Sequence, residues 1–172
     1  MMLIHMIRQL FLAFSLVLIG PLSFAQTSKQ QQEFDQMLQG LLAHSVKEVK
    51  AKEVMNSTDI IYLDAREKNE FQVSHIPNAK WVGYNTFKKK YVDAIPKDKR
   101  IVVYCSVGYR SEKISEKLLK MGFKDVSNLY GGIFDWKHAG GKVVDTKQQE
   151  TEKIHTYNKE WSKWLFQGVK VF

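Results

Sequence analysis

The sequence predicts an α/β domain with a central parallel sheet and helices on both faces. Three observations carry that expectation. First, Val126–Tyr130 reads as a strand, and Ile60–Leu63 and Ile101–Tyr104 are short, continuous apolar runs. The two runs lack the alternation of a half-wet strand, so each suits a strand covered on both faces. Second, segments with apolar residues at helical spacing lie between these runs, and strands separated by helices imply parallel pairing. Third, there is no internal repeat and no long linker, so one domain accounts for the pattern.

The elements follow in order. Ser28–His44 is glutamine-rich and places Phe34, Met37, Leu38, Leu41 and Leu42 at helical spacing, which predicts an amphipathic N-terminal helix. Val46–Val49 reads as a short strand and Lys52–Asn56 as a helical turn. Ile60–Leu63 ends at Asp64, and "REKNEFQ" (66–72) reads as a short helix stopped by His75-Ile76-Pro77. Trp81-Val82 reads as a strand and Thr86–Ile95 as a helix with "KKK" (88–90) on its wet face. After Ile101–Tyr104, the residues Ile114, Leu118 and Met121 recur at i, i+4 and i+7, and Gly122 is placed to end that helix. Val126–Tyr130 is the next strand, Gly131-Gly132 a turn and Ile133–His138 a short helix. In the last segment Ile154, Tyr157, Trp161 and Trp164 fall at i, i+3, i+7 and i+10. That spacing predicts a C-terminal amphipathic helix packing its aromatics on the domain; a membrane surface or a protein partner is the alternative occupant of that face.

Residues 1–25 read as a secretory signal peptide. Arg8 precedes the apolar run Leu10–Ile19, which is too short to span a bilayer, and Ser23 and Ala25 supply the small residues of a cleavage site. Cleavage after Ala25 would leave an N-terminal extension at 26–45, a domain at 46–144 and a C-terminal extension at 145–172. The mature chain would be periplasmic or secreted. The full chain carries a net charge of +8, with scattered basic residues that favour small anions without forming a nucleic-acid stripe. Asn56-Ser57-Thr58 is a glycosylation sequon, of consequence only in a host that glycosylates. Nothing fixes an oligomeric state.

The chain has one cysteine, Cys105. A lone thiol in an oxidising compartment has no intramolecular disulfide partner, and no Cys/His spacing suggests a metal. An inert buried thiol is the bland alternative. Position argues otherwise: Cys105 ends a buried strand and directly precedes a helix, the place where α/β sheets bind ligands. Backbone amides of Ser106, Val107, Gly108, Tyr109 and Arg110 could curl around the sulfur, and the helix N-terminus adds positive potential, so a thiolate is favoured there. Gly108 removes a side chain where the loop must turn tightly.

These residues resemble the rhodanese-like sulfurtransferase family. "CSVGYRS" is similar to its active-site loop, "YLDAREKNEFQVSHIPNA" (62–79) to its upstream motif and "NLYGGIFDW" (128–136) to its closing segment, in the family's order across Val46–Val144. The resemblance implies a single rhodanese-like domain with Cys105 as the nucleophile and residues 106–110 as the substrate-binding loop. Asp64, Arg66 and Ser111 would support that loop. His75 would fix a turn rather than act as a base. Four residues separate Cys105 from Arg110, as in sulfurtransferases; phosphatases sharing this fold have five. The implied chemistry is a double displacement: Cys105 takes sulfane sulfur from a small anionic donor such as thiosulfate and passes it to cyanide or a thiol, with no cofactor. The chain departs from the pattern at Ser106, where many relatives carry arginine, and at Ser74, which replaces a glycine. A non-catalytic binding module and an oxyanion reductase acting on arsenate are the alternatives, the latter disfavoured by loop length and the lack of a second cysteine.

Overall fold

A computed structural model describes residues 20–172, with side chains from Lys29 onward. The apolar run Leu10–Ile19 assigned to a leader lies outside the described residues. Among the described residues no helix is long and apolar enough to cross a membrane. Contacts gather Phe34–Phe172 into one compact unit. Before Phe34 the described chain is the first part of helix α1 (Gly20–Leu41), with a Lys29–Glu33 ion pair at 3.9 Å.

The sheet strands are β1 (Glu48–Val49), β2 (Ile61–Asp64), β3 (Lys80–Trp81), β4 (Arg100–Tyr104) and β5 (Asp125–Leu129). Their spatial order is β1-β5-β4-β2-β3, and every neighbouring pair is parallel. The helices of the unit are α1, α2 (Ala51–Val54), α3 (Lys68–Val73), α4 (Tyr109–Lys120) and α5 (Gly132–His138). The fold class is therefore the expected one.

Central strand β4 explains why helices cover both faces. Successive side chains point to opposite sides of a strand, and all of Ile101–Cys105 are buried. Ile101, Val103 and Cys105 join the core cluster containing Ile114 and Leu118 of α4. Val102 and Tyr104 join the other cluster, with Phe34 and Leu38 of α1, Val54 of α2, and Ile133, Phe134 and Trp136 of α5.

Two expectations fail. Thr86–Ile95 is not a helix but contains a single 3₁₀ turn, Lys89–Tyr91. Its backbone turns through separate i→i+3 bonds, Val92 N–H to Lys89 O and Ile95 N–H to Val92 O, both at 3.0 Å. Val92 and Ile95 are buried there, with Phe87 and Tyr91 partly buried against the same core, but each is brought to it by a separate turn rather than by one helix.

The C-terminal segment is not a helix either. A short antiparallel hairpin, β6 (Val143–Val144) with β7 (Glu150–Thr151), leads into β8 (Lys153–His155), which pairs in parallel with β9 (Val169–Val171). Trp161–Trp164 forms one 3₁₀ turn. Ile154 and Leu165 are buried, and Trp161 and Trp164 pack against the core from the turn. The helix-like spacing thus arises from a strand and a turn that reach one core separately. Tyr157, with φ of +69°, interrupts any helix between them. No C-terminal helix is present to lie on a membrane or a partner.

Candidate active site

The chain leaves β4 at Tyr104 and enters α4 at Tyr109, so residues 105–108 form a tight loop at the carboxyl edge of the central strand. Gly108 closes it with φ of +115°, in the left-handed region that glycine occupies without penalty. A Cβ at Gly108 would also touch Leu42 at 3.4 Å.

The loop's carbonyls are drawn away from its concave side. Helix α5 begins beneath it, and its amides donate to the loop: Ile133 N–H to Cys105 O at 2.9 Å and Phe134 N–H to Ser106 O at 3.2 Å. Gly132 makes this approach feasible. A Cβ there would sit 2.6 Å from the Ser106 oxygen and closer still to that of Cys105. The Gly108 carbonyl accepts from Asn128 Nδ2 at 3.1 Å, and the Ser111 hydroxyl, with one proton to give, lies 2.7 Å from Asn128 Oδ1 and 3.0 Å from the Gly108 carbonyl. Ser111 thus lies against the loop, with Asn128 of β5 as its partner.

Cys105 is 1 % exposed, and its sulfur accepts a hydrogen bond from the Gly108 N–H at 3.2 Å. Of the amides expected to curl around the sulfur, only that of Gly108 bonds to it directly. A pocket of about 430 Å³ opens above the thiol. Cys105, Ser106, Val107, Tyr109 and Arg110 form its base, and Tyr84, Asn85, Glu67, Tyr157, Trp161 and Leu41 surround them.

Arg110 and Ser106 are engaged by a residue the sequence reading left out of the site, Glu70 of α3. Arg110 donates to both Glu70 oxygens, Nη1 to Oε2 at 2.6 Å and Nη2 to Oε1 at 2.8 Å. Ser106 Oγ donates to Glu70 Oε1 at 3.2 Å and accepts from Arg110 Nη2 at 3.0 Å. Burial raises the Glu70 carboxyl, but the hydrogen bonds and charge of Arg110, aided by Arg66, outweigh it and hold the group below its usual range. Arg110 is thus a bidentate tie between loop and α3, its charge largely answered by Glu70. Ser106 takes part in this network through its hydroxyl.

Asp64 and Arg66 form a fully buried ion pair at 2.7 Å. Arg66 also donates to Ser74 O at 2.6 Å, and its own carbonyl accepts from Trp81 Nε1 at 2.9 Å. The pair braces the end of β2 and the turn beyond α3, and it reaches the loop through its neighbours: Ala65 N–H donates to Tyr104 O at 2.8 Å. His75 stacks on Phe71, and its backbone exchanges hydrogen bonds with Val144 at 2.9 Å in each direction, so it holds a turn as expected. Among the described residues no cluster of His, Cys, Asp or Glu could hold a metal.

Glu70 was legible only as part of a motif, since a buried carboxylate in a short helix has no periodic signature. Tyr157 and Trp161 were noted only for packing. Their place at the pocket depends on a chain path that sequence spacing does not encode.

Comparison with known proteins agrees with this geometry. The family model described as Rhodanese-like domain matches residues 46–139. The tRNA uridine(34) hydroxylases of Yersinia pestis (strain Pestoides F) and Hamiltonella defensa subsp. Acyrthosiphon pisum (strain 5AT) are 33% identical over 100 residues and 35% over 108. These matches cover 55% and 58% of this chain but only 28% and 30% of those proteins, so the chain spans less than a third of their length. Among solved structures, a rhodanese-related protein from Thermoplasma volcanium superposes with a TM-score of 0.52 at 27% identity, covering 57% of this chain and 97% of that one. The thiosulfate sulfurtransferase from Pseudomonas aeruginosa superposes with a TM-score of 0.53 at 22% identity, covering 72% of this chain and 23% of that one, a likeness of fold.

Proposed function

Because the chain belongs to the rhodanese-like domain family, we propose that it is a sulfurtransferase that carries sulfane sulfur as a persulfide on Cys105. The observation that carries this reading is the thiol itself. Cys105 lies at the floor of an open pocket, its sulfur bonded to a loop amide and the carbonyls of Cys105 and Ser106 bonded away to α5. Amides left on the concave side of a loop at a helix N-terminus suit an anionic sulfur, first the thiolate and then the terminal persulfide.

In the first step the Cys105 thiolate attacks the outer sulfur of the donor. With thiosulfate, the S–S bond of the donor breaks, sulfite leaves, and Cys105 persulfide forms. In the second step an acceptor thiolate or cyanide attacks that outer sulfur, and the Cys105 thiolate leaves. No electrons are gained or lost by the protein over the cycle. Arg110 and Glu70 position the loop in both steps, since their charges answer each other rather than the substrate. The leader motif supports placing this activity in the periplasm or outside the cell.

Steady-state kinetics test the mechanism. A double displacement gives parallel reciprocal plots when donor is varied at several acceptor concentrations. Cys105→Ser should show no turnover. Intersecting plots, or turnover by Cys105→Ser, would remove the covalent intermediate from the account.

A further inference from the structure

The segment that follows the matched family domain builds one side of the pocket. Tyr157 and Trp161 both lie beyond residue 139, where the family match ends, yet they line the same cavity as Cys105. Tyr157 is 54 % exposed and sits with its ring over the Arg110 guanidinium at 5.2 Å, joining this wall to the base of the site. Its backbone is held at φ of +69°, with its N–H donating to His155 Nδ1 at 3.0 Å. A bulky residue in that conformation costs free energy, so the surroundings must hold it there. Tyr84, Asn85 and Glu67 also line the cavity, with Asn85 Nδ2 donating to Glu67 Oε1 at 3.1 Å.

Three features of this cavity bear on what enters it. At about 430 Å³ it has the size of a site for an organic molecule and far exceeds a four- or five-atom inorganic anion. Its lining is dominated by Leu41, Val107 and the rings of Tyr84, Tyr109, Tyr157 and Trp161. Its charges do not favour an anion: Arg110 is paired with Glu70, and Glu67 adds a carboxylate.

Resting on the sulfurtransferase reading, we propose that the physiological partner of Cys105 is an organic thiol or its persulfide, with an aromatic or otherwise apolar body and no negative charge on it. Tyr157 and Trp161 bind the body and Glu67 excludes anionic analogues. In the transfer, the thiolate RS⁻ attacks the outer sulfur of Cys105–S–SH. The bond between the two sulfurs breaks, RS–SH forms and the Cys105 thiolate leaves, so the exchange needs no oxidant or reductant.

The test uses the full chain with Cys105 preloaded by inorganic polysulfide and discharged by three thiols: benzyl mercaptan, 4-(mercaptomethyl)benzoate and 2-mercaptoethanol. Benzyl mercaptan should discharge the persulfide with a kcat/KM at least about tenfold above 2-mercaptoethanol, the worth of partly burying one ring. It should exceed the benzoate, which adds a carboxylate to the same ring, by about tenfold as well, through repulsion from Glu67. Tyr157→Ala and Trp161→Leu should each shrink the first ratio, and Glu67→Gln the second. Ratios within one protein cancel a fold defect, and the same thiols across variants cancel intrinsic nucleophilicity. Lys163→Ala, in the same segment but outside the pocket, should move neither ratio. Loading with no preference among the thiols, or ratios that the wall variants do not change, would overturn this proposal and leave the sulfurtransferase reading standing. Failure of polysulfide and of benzyl persulfide alike to load Cys105 would overturn both.

Discussion

The two sides of the pocket are built differently. Its base is the Cys105 loop, whose carbonyls at positions 105, 106 and 108 each accept a hydrogen bond of 3.2 Å or less from an element of the core. Its outer wall is the stretch from Tyr157 to Trp161, where Tyr157 stands half in solvent and the turn is capped by Asn158 Oδ1 accepting from Trp161 N–H at 3.0 Å. Buried polar groups are costly unless paired, so a loop stitched in this way has one arrangement. An aromatic wall offers area without fixing a single geometry. Under the proposed function, the bond-making step would belong to the base and the choice of substrate to the wall.

The comparison breaks most readily at Gly132. Gly132→Ala places a methyl against the Cys105 and Ser106 carbonyls in a residue with φ of +57°. The combined overpacking and left-handed strain should destabilise the protein by at least about 3 kcal/mol, read from the urea midpoint. An unchanged midpoint would mean that α5 does not hold the loop.

Glu70→Ala should have the next largest effect. It removes both bonds to Arg110 and leaves a mostly buried guanidinium unanswered, although Arg110 retains some access to water. The expected loss is about 2–3 kcal/mol, below the full cost of a buried unpaired charge, with slower loading of Cys105. Loading at the wild-type rate in a correctly folded Glu70→Ala protein would show that the tie to α3 is irrelevant to the chemistry.

Acidification should loosen the attachment of the C-terminal segment. His138 of α5 stacks on Phe166 with ring centroids at 3.6 Å, and its Nε2 accepts the Phe166 N–H at 3.2 Å, so the native ring must be neutral. Burial pushes its pKa from 6.5 down to about 4. The unfolded chain therefore binds the extra proton first as pH falls below about 6.5, and stability declines between that point and about 4, by roughly 3 kcal/mol. The depressed Glu70 carboxyl adds a further loss in the same direction at lower pH, below its unfolded value near 4.5. Thermal melts across this range should show His138→Gln blunting the upper part of the decline.

The smallest stability effect is expected at the wall. Tyr157→Ala removes an exposed ring and relieves no buried polar group, so the melting midpoint should correspond to a change within about 0.5 kcal/mol. A larger loss would make Tyr157 a structural residue and weaken its part in selection.

The same division governs what could be read in the sequence. The base was legible because its determinants are local: a buried strand ending at Cys105, Gly108 at the turn, the periodic helix from Arg110 onward, and the Gly131-Gly132 pair. Glu70 escaped notice as a site residue because its meaning depends on α3 folding back onto the loop, a contact 40 residues away in sequence. The wall was misread outright. Ile154, Tyr157, Trp161 and Trp164 have the spacing of a helical stripe, but pairing of β8 with β9 fixes Lys153–His155 as extended, and that pairing joins Lys153 to Val169 across a gap no local pattern reports. Likewise Val92 and Ile95 are separate anchors that only resemble one helical face.

Intact-mass analysis of the full chain after exposure to a sulfane-sulfur donor tests the central claim most directly. The account predicts a gain of the mass of one sulfur atom, mapped to Cys105 by peptide analysis and lost again on adding cyanide or a thiol. Cys105→Ser should gain nothing. A wild-type protein that stays at its starting mass with thiosulfate, polysulfide and organic persulfides alike, while its fold is intact, would contradict the claim that Cys105 carries sulfur.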